Sequence, residues 1–362
     1  MERTVGAVMK IGERPIGDGH PVFIIAEAGA NHNGDLRLAK EMCDVAKDIG
    51  CDCIKFQTFS AEEFCADPNQ LFTYRSQGRE VQEPMIDLFR RLEFTRAQWA
   101  ELMAHCADIG ILFLTTVQDP PDLSLMLELG LKGIKVGSDD FDHLANLRRF
   151  AETGLPLIVS KGMASLGEVD KVVRFLRARA SSFAVLHCVS LYPTDPAFLN
   201  IRQLETLRRL YPDVIWGFSD HSEGPLASAL AVTLGAKIIE KHFTLDRALP
   251  GPDHWFSLDP TDMGRMVKDI RFAEAALGSG EVAPAPAEEG YKKIARRRVV
   301  ALRDLPAGTV LDETTVGFKR SGEGLFVGDW DRIAGRRLGR PVSRNRGIDY
   351  SAIDFSETDR GA

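Results

Sequence analysis

Short apolar runs recur along the chain and alternate with longer stretches that have the periodicity of amphipathic helices. Three of these stretches, 36–50, 96–110 and 226–237, repeat apolar positions at helical spacing and have glycine at or near the end. Strands that alternate with helices in this way indicate a parallel sheet. We predict strands at residues 22–26, 53–56, 111–115, 133–136, 156–160, 183–187, 214–218 and 237–241.

The number of predicted strands distinguishes two parallel folds. Eight strands close a TIM barrel, and the length of this part of the chain fits that fold. An open, doubly wound sheet is the alternative. It is disfavoured because no G-x-G-x-x-G follows the first strand and because polar residues follow almost every strand, not a single switch point. We therefore predict a (β/α)8 barrel, with a polar loop at residues 60–84 on its active face.

The composition changes after the last helix of the predicted barrel. We assign residues 1–280 to the barrel and residues 281–295, rich in Pro, Ala and Glu, to a semi-rigid linker. Residues 296–362 contain short strands and turns in what resembles a loose internal duplication. They predict a small, mostly β domain that folds separately.

Charge and composition exclude several classes of partner. The formal net charge is −7 with a pI near 5.7, and no broad basic face is available to neutralise nucleic-acid phosphates. No apolar run approaches the roughly 20 residues of a membrane helix, and the first residues lack a secretory signal, so we expect a cytoplasmic protein. The six cysteines lack paired zinc-ligand spacing and are expected to be reduced.

Polar residues gather just where each predicted strand ends. In a TIM barrel the chemistry lies at the C-terminal ends of the strands, so these residues predict a polar ring at one end of the barrel. They are Glu27, Asn31 and His32; Lys55 and Gln57; Thr115, Thr116 and Gln118; Lys135, Ser138, Asp139 and Asp140; Ser160 and Lys161; His187, Ser190 and Tyr192; Ser219, Asp220 and His221; and Glu240, Lys241 and His242.

Two histidines at the ends of adjacent strands, His221 and His242, could hold a metal ion. Imidazole suits Mn, Fe, Co and Zn, and two protein ligands leave positions open for substrate and water. His187 and His32 are alternatives, and each histidine could instead be a hydrogen-bonded structural residue. Strand alternation places Glu240 beside His242 on the interior face, while Lys241 points the other way.

Lysines within the predicted strands suggest an anion site. Lys55 and Lys135 could clamp a phosphate or carboxylate as point charges. Short hydroxyl donors at neighbouring strand ends would assist them, namely Ser138, Ser160 and Ser219. A Schiff-base amine is the competing interpretation, and Lys55, Lys135 or Lys161 could supply it.

Several sequence blocks, in order along the chain, resemble those of the sialic acid synthases, the bacterial nonulosonate synthases. The region from 296 onward resembles the antifreeze-like (SAF, β-clip) domain of these enzymes, with FKRSGEGL at 318–325. The blocks are IIAEAGANHNGD, IKFQTF, GIKVGS, SKGMAS, HCVSLYPT, GFSDHSEG, IIEKHFTLD and PGPDHWFSLDP.

The resemblance implies a reaction and a cofactor. Phosphoenolpyruvate would condense with the open-chain aldehyde of a 2-acetamido hexose, either N-acetylmannosamine or a 2,4-diacetamido-trideoxyhexose. Water would be consumed, phosphate would leave with C–O cleavage, and a nine-carbon 3-deoxy-2-keto acid would form. The family uses a divalent metal, Mn²⁺ or Mg²⁺, held by residues that match His221 and His242.

The resemblance also implies roles for other residues. The phosphoenolpyruvate carboxylate would be held by Lys55, Thr116 and Lys135, and its phosphate would lie among Ser138, Ser160 and Ser219. The sugar would face Gln57, Tyr192 and Asp253. The acidic residues near the reacting centre would be Glu27, Glu240 and Asp140. The family forms a domain-swapped homodimer, in which the SAF domain brings an arginine matching Arg320 to the sugar of the other subunit.

This chain departs from the family pattern at a few positions. Asp139 stands where relatives have glycine, and Asp140 where they have glutamate. Lys161 replaces threonine, and Ser190 and Ser321 replace asparagine and proline. An added carboxylate beside a phosphate site would repel the ligand unless it points away. Two alternatives to the synthase therefore stay open, a non-catalytic sugar-binding or assembly protein and a Schiff-base aldolase.

Overall fold

A computed structural model describes residues 7–356 of the 362-residue chain. The chain folds into two compact units, one up to Gly278 and the other from Ser279. The strands are β1 (Val8–Ile11), β2 (Arg14–Gly17), β3 (Phe23–Gly29), β4 (Cys53–Thr58), β5 (Leu71–Ser76), β6 (Arg79–Pro84), β7 (Leu112–Val117), β8 (Ile134–Val136), β9 (Leu157–Ser160), β10 (Phe183–Cys188), β11 (Ile215–Asp220), β12 (Ile238–His242), β13 (Arg297–Ala301), β14 (Val316–Arg320), β15 (Arg337–Leu338) and β16 (Ile353–Asp354).

Helices follow most of the strands in the first unit. They are α1 (Leu36–Ile49), α2 (Ala61–Phe64), α3 (Met85–Leu92), α4 (Arg96–Ile109), α5 (Pro120–Glu128), α6 (Leu144–Glu152), α7 (Leu166–Arg177), α8 (Pro196–Leu199), α9 (Gln203–Leu210), α10 (Leu226–Thr233) and α11 (Pro260–Leu277). The second unit contains α12 (Glu288–Ala295) and α13 (Trp330–Ile333). Between residues 7 and 356, no helix is both long and apolar enough to cross a membrane.

Eight parallel strands close the barrel in the order β3, β4, β7, β8, β9, β10, β11 and β12, and β12 pairs again with β3. The predicted TIM barrel is confirmed, and each predicted strand overlaps an observed one. The strands are buried on both faces, which explains why they appear in the sequence as nearly continuous apolar runs.

The helix boundaries follow local capping rules. Asp35 accepts hydrogen bonds from the first turn of α1, and Thr95 forms a capping box with Gln98 at the start of α4. Both helices end at a left-handed glycine, Gly50 and Gly110. These signals are why α1 and α4 agree closely with the helices predicted from periodicity.

A hairpin that the sequence did not predict fills the N-terminal end of the barrel. β1 and β2 pair antiparallel, and their side chains Met9, Ile11 and Ile16 pack against interior residues such as Phe23 and Ile25. This apolar plug leaves the opposite, C-terminal end as the place where the polar ring can meet ligand.

Residues 60–84 are more ordered than the predicted polar loop. They contain α2 and a hairpin in which β5 pairs with β6. The turn residues Gln77 and Gly78 both have positive φ, 50° and 76°, as a tight two-residue hairpin requires. Alternate residues of β5, Phe72 and Tyr74, turn inward and belong to a small apolar cluster with Phe59, so the hairpin is held by burial.

The second unit is small and rich in β structure. β13 pairs antiparallel with β14, and β15 with β16, around buried side chains that include Val299, Leu311 and Ile348. The predicted linker 281–295 contains the helix α12, which buries none of its side chains. The closed barrel followed by a small domain of antiparallel strands agrees with the predicted fold class.

Candidate active site

A cavity of about 490 Å³ opens at the C-terminal end of the barrel strands. Strand alternation supplies its wall, because inward-facing positions change from apolar to polar along each strand. On β12, for example, Ile238 belongs to the interior apolar cluster while Glu240 and His242 line the cavity. Twelve of the fifteen predicted site residues line it: Glu27, Lys55, Gln57, Thr116, Lys135, Ser138, Ser160, Tyr192, Ser219, His221, Glu240 and His242.

Lys55 is a fully enclosed cation at the floor of the cavity. Its Nζ lies 2.7 Å from Glu27 Oε2 and donates a hydrogen bond of 2.9 Å to Thr116 Oγ1. The second oxygen of Glu27 accepts a 3.0 Å bond from Gln57 Nε2. Burial lowers the pKa of Lys55, but Glu240 and Glu27 more than offset this and raise it above its ordinary value. Lys55 is therefore a permanent positive charge in the pocket.

Lys135 supplies a second buried ammonium group two strands away. It donates to Ser160 Oγ at 2.7 Å and to the Val136 carbonyl at 2.9 Å. Glu240 Oε1 is 3.7 Å from its Nζ and accepts a 2.9 Å hydrogen bond from Ser219 Oγ. Burial lowers the pKa of Lys135. Two ammonium groups beside two hydroxyls form a cradle suited to an anion.

The two carboxyl groups of the floor differ in acidity. Burial raises the pKa of Glu27 to about 7, although Lys55 acts against this. Burial acts in the same direction on Glu240, but Lys135 and Lys55 outweigh it and lower its pKa below the ordinary value. One carboxyl group can thus hold a proton near neutral pH while the other stays ionised, which is the arrangement that acid–base chemistry uses.

His221 and His242 face each other with ring centroids 5.4 Å apart. His221 Nδ1 lies 2.8 Å from the Val189 carbonyl, so that nitrogen carries the hydrogen and Nε2 is left as an acceptor. His242 Nδ1 is buried and has no hydrogen-bond partner among the described residues; Asp253 Oδ2 is 3.7 Å away. Burial and then His221 lower the pKa of His242 well below its ordinary value, so its imidazole is neutral.

Neutral imidazoles with a free nitrogen are the form that binds divalent metals. His242 therefore fits a metal ion as a neutral imidazole with an orphaned nitrogen. His221 fits by donor type; burial lowers its pKa, but Cys188 and Glu240 outweigh burial and raise it, so a metal ion would have to compete with a proton there. Within residues 7–356 no cluster of three or more His, Cys, Asp and Glu side chains is arranged around a common metal position. Any further ligands would have to be substrate or water, as an open catalytic site requires.

Three predicted site residues do not line the cavity. Asp140 turns aside and lies 2.9 Å from His143 Nδ1 and 3.2 Å from Asn146 Nδ2. Asp253 is half-buried with its Oδ2 3.7 Å from His242 Nδ1, and burial raises its pKa to about 6. Arg320 is an exposed residue at the end of β14 in the second unit.

The alternative metal residues His187 and His32 and one Schiff-base candidate, Lys161, do not line the cavity, whereas the other two Schiff-base candidates, Lys55 and Lys135, do. His187 bonds the Leu199 carbonyl at 2.7 Å, and the His32 ring packs 4.3 Å from that of Phe94. Lys161 donates to Gln203 at 2.8 Å. Lys241 points away from the cavity, as strand alternation predicted, and pairs with Asp220. The structure therefore brings together the predicted pair of histidines and the predicted pair of lysines.

Sequence reasoning missed the apolar part of the cavity wall. Asp139 also lines the cavity, and its carboxylate folds back toward Gly137. The sequence contained a signal for this wall. Residues 59–89 are rich in aromatic residues, and β5 alternates with period two so that its inward positions are aromatic. The missed apolar residues are Phe59, Phe64, Phe72, Met85, Phe89 and Met163.

Comparison with known proteins identifies the family of the chain. The model of the NeuB family matches residues 42–282, and that of the SAF domain matches residues 296–354. An uncharacterized protein of Methanocaldococcus jannaschii is 38% identical over 91% of this chain and 94% of its own length. The N,N'-diacetyllegionaminic acid synthase of Legionella pneumophila is 36% identical over 97% of this chain and 100% of its own.

A solved structure shows the same likeness. The N-acetylneuraminic acid (sialic acid) synthetase of Leptospira borgpetersenii, crystallised with citrate, superposes with a TM-score of 0.72 and is 34% identical. The match covers 80% of this chain and 98% of that one. With the family model matched over more than half of its length, the chain belongs to the NeuB family of synthase enzymes and carries a C-terminal SAF domain.

Proposed function

We propose that the chain is a nonulosonate synthase. It condenses phosphoenolpyruvate with the open-chain aldehyde of a 2-acetamido hexose, N-acetylmannosamine or a 2,4-diacetamido-trideoxyhexose, and releases phosphate and a nine-carbon 3-deoxy-2-keto acid. The observation that carries the proposal is one cavity in which the buried ammonium groups of Lys55 and Lys135 lie beside the His221–His242 pair. Relatives named as synthases of such acids support it.

The cationic floor would hold phosphoenolpyruvate. Its carboxylate would bind Lys55, Thr116 and Lys135. Lys55 already donates a hydrogen bond to Thr116, and both lysines lie near the carboxylate of Glu240, at 3.9 and 3.7 Å. Its phosphate would lie among three hydroxyls, Ser138, Ser160 and Ser219, where Ser138 Oγ also accepts from the backbone N–H of residue 162. Holding the enol in a fixed orientation can lower the activation free energy of a two-substrate reaction by about 7–11 kcal/mol.

The bond changes balance with one water. The enol carbon C3 attacks the aldehyde carbon of the sugar, and the carbonyl electron pair becomes an alkoxide that takes up a proton. Water adds to C2 of the former enol and gives up a proton. The C–O bond between C2 and phosphate then breaks, the C2 hydroxyl gives its proton to the leaving phosphate, and the keto group forms. Glu240, which is ionised at neutral pH, accepts the proton of the water, and Glu27 exchanges a proton near pH 7.

A divalent cation, Mn²⁺ or Mg²⁺, would be held by His221 and His242. When bound, it would polarise the aldehyde oxygen, where negative charge develops. Tyr192 packs against His221 in a tilted arrangement with ring centroids 4.1 Å apart, and Asp253 Oδ2 lies 3.7 Å from His242 Nδ1. Gln57 and Tyr192 lie in the wall where the sugar would enter.

The assembly and location of the enzyme are also part of the proposal. Two subunits would exchange their SAF domains, so that Arg320 reaches the sugar bound by the other subunit. Light scattering after size-exclusion chromatography measures whether the chain is a dimer. The reaction would take place in the cytoplasm, where phosphoenolpyruvate is available.

Phosphate release tests the proposal directly. We expect release only when phosphoenolpyruvate, an acetamido hexose and Mn²⁺ are all present, and EDTA should stop it. His242→Ala should lower the rate at least roughly 100-fold and should weaken Mn²⁺ binding measured by calorimetry. His105→Ala is the matched control, because His105 pairs with Asp44 on the outer helices.

The competing functions give different results. Sugar binding without turnover, for every sugar of a mono- and diacetamido panel, would support the non-catalytic alternative. An imine trapped by borohydride would support the Schiff-base aldolase. Equal activity of His242→Ala and the parent would remove His242 from the metal site.

A further inference from the structure

Two neighbouring helices on the outside of the barrel, α10 and α11, leave a large apolar surface exposed. The helices pack against each other. Four of their side chains are both large and exposed: Leu226 at 65%, Leu230 at 48%, Phe272 at 74% and Leu277 at 50%. Together with smaller neighbours they line one groove of about 500 Å³. We refer to the surface formed by these four residues as the α10–α11 face.

The composition of α10 is unusual for a helix at the surface of a protein. Its eight residues, LASALAVT, include no charged side chain. Ala227, Ala231 and Val232 are buried in the main core, and Ser228 donates a hydrogen bond to Asp220. A surface helix normally has polar residues on its outer side, and a helix that is apolar all round is normally buried all round. The outer leucines of α10 therefore indicate a surface that another molecule covers.

The α10–α11 face combines a projecting ring with a recess of small side chains. Phe272 is the most exposed of its residues, and the groove beside it is lined by Ala229, Ala273 and Ala276. Among the described residues that line the groove, the one with a charge is Asp269, whose carboxylate lies 3.7 Å from Arg265 on the same helix. A surface with both a ring and an apolar recess can pair with a second copy of itself across a two-fold axis.

The size of the α10–α11 face suits a contact between two chains. With their exposed fractions, the four large side chains present on the order of 400 Å² of apolar surface to solvent. Apolar patches of roughly 300–600 Å² are often functional. The face would supply about half of the roughly 800 Å² that each partner contributes to a standard interface. The polar residues around the face would form the rim of the contact.

The position of the face agrees with the exchange of SAF domains between two subunits. α11 ends at Leu277, which belongs to the face, and the second unit begins at Ser279. A chain that gives its second unit to another subunit must cross to that subunit from this point. The end of α11 must then lie close to the other barrel. This requirement favours a second copy of the chain over an unrelated partner as the molecule that covers the face.

We propose that the α10–α11 face is the contact between the barrels of two copies of this chain, related by a two-fold axis. Each Phe272 packs into the groove of the other copy. The inference rests on the assembly part of the proposed function, and it adds the surface on which the two barrels meet. This surface lies outside the active-site cavity, so it can be altered without changing a residue that contacts substrate.

Sedimentation equilibrium of the full chain tests the proposal, because it measures the dissociation constant of the dimer. Phe272→Glu and Leu230→Asp each place two like charges in a two-fold contact and should weaken the dimer at least roughly 100-fold. Leu210→Asp is the matched control. Leu210 is also 50% exposed, at the end of α9, but it does not line the groove, so the dissociation constant should stay that of the parent. Circular dichroism checks that all three variants fold.

The possible outcomes separate this inference from the synthase function. Unchanged dissociation constants in Phe272→Glu and Leu230→Asp would overturn the inference. A parent chain that sediments as a monomer would also overturn it, since the face would then serve a different partner. Phosphate release by the parent in either case would leave the synthase chemistry intact. Conversely, a dimer that depends on Phe272 and Leu230 but releases no phosphate with any sugar would overturn only the synthase chemistry.

Discussion

Two buried lysine–carboxylate pairs lie on opposite faces of the same barrel wall. In the cavity, Lys55 on β4 lies 2.7 Å from Glu27 on β3. On the helix-facing side, Lys241 on β12 lies 3.1 Å from Asp220 on β11. Both pairs join neighbouring strands and both are almost free of solvent. They differ in how fully their hydrogen bonds are satisfied.

The outer pair is complete. Asp220 Oδ1 accepts from the backbone and hydroxyl of Ser222, at 2.9 and 2.6 Å, and Oδ2 accepts from Ser228 at 2.8 Å as well as from Lys241. In the cavity, Glu27 accepts only from Lys55 and Gln57, and the neighbouring Glu240 Oε2 has no hydrogen-bond partner among the described residues and lies 3.9 Å from Lys55. Buried polar groups are normally satisfied, so an unfilled group indicates where a ligand binds. The outer pair holds the strands that carry the histidines, and the inner pair is available for chemistry.

The largest expected effect is on stability, from breaking the outer pair. Lys241→Met leaves Asp220 buried without its cation, and the free energy of unfolding should fall by about 3–5 kcal/mol. Urea denaturation followed by circular dichroism measures it. Lys55→Met should lose less, because Glu27 already has a pKa of about 7 and can take up a proton. Equal losses in the two variants would contradict the distinction between the pairs.

The second effect is on catalysis, from breaking the inner pair. Lys55→Met removes a cation from the proposed phosphoenolpyruvate site and should lower kcat/KM by roughly 10²–10³-fold. Lys161→Met is a matched control, because Lys161 is also buried but contacts Gln203 outside the cavity. Its activity should stay near that of the parent. A similar loss in both variants would show that burial of a lysine, not its place in the cavity, matters.

The smallest expected effect is a pH dependence of stability. The pKa of Glu27 is raised in the folded state, so its contribution to stability is present below about pH 4.5 and is lost as the pH rises through about 7. Melting temperatures measured from pH 5 to 8 should fall more steeply for the parent than for Glu27→Gln. Glu240 has a lowered pKa, so the stability that it contributes is lost as the pH falls. Glu240→Gln should therefore change the melting temperature at the acidic end of the pH range instead. Identical pH curves for the parent and Glu27→Gln would contradict the raised pKa.

Much of the catalytic end of the barrel could be predicted from the sequence. Parallel strands all present their C-terminal ends at one side, and side chains alternate strictly along a strand. Strand positions and alternation therefore sufficed to place Lys55, Glu240 and His242 in the cavity and to turn Lys241 away from it.

What the tertiary structure decided lies beyond the strand ends. Asp140 follows a strand but turns to His143, and Asp139 turns into the cavity, because backbone direction in a loop has no fixed period. The apolar part of the cavity wall depends on Phe59, Phe72 and residues of α3, which lie on separate elements and meet because the hairpin of β5 and β6 brings them together. The chemistry of the floor was thus determined by local alternation, whereas the apolar part of the cavity wall was determined by tertiary packing between separate elements.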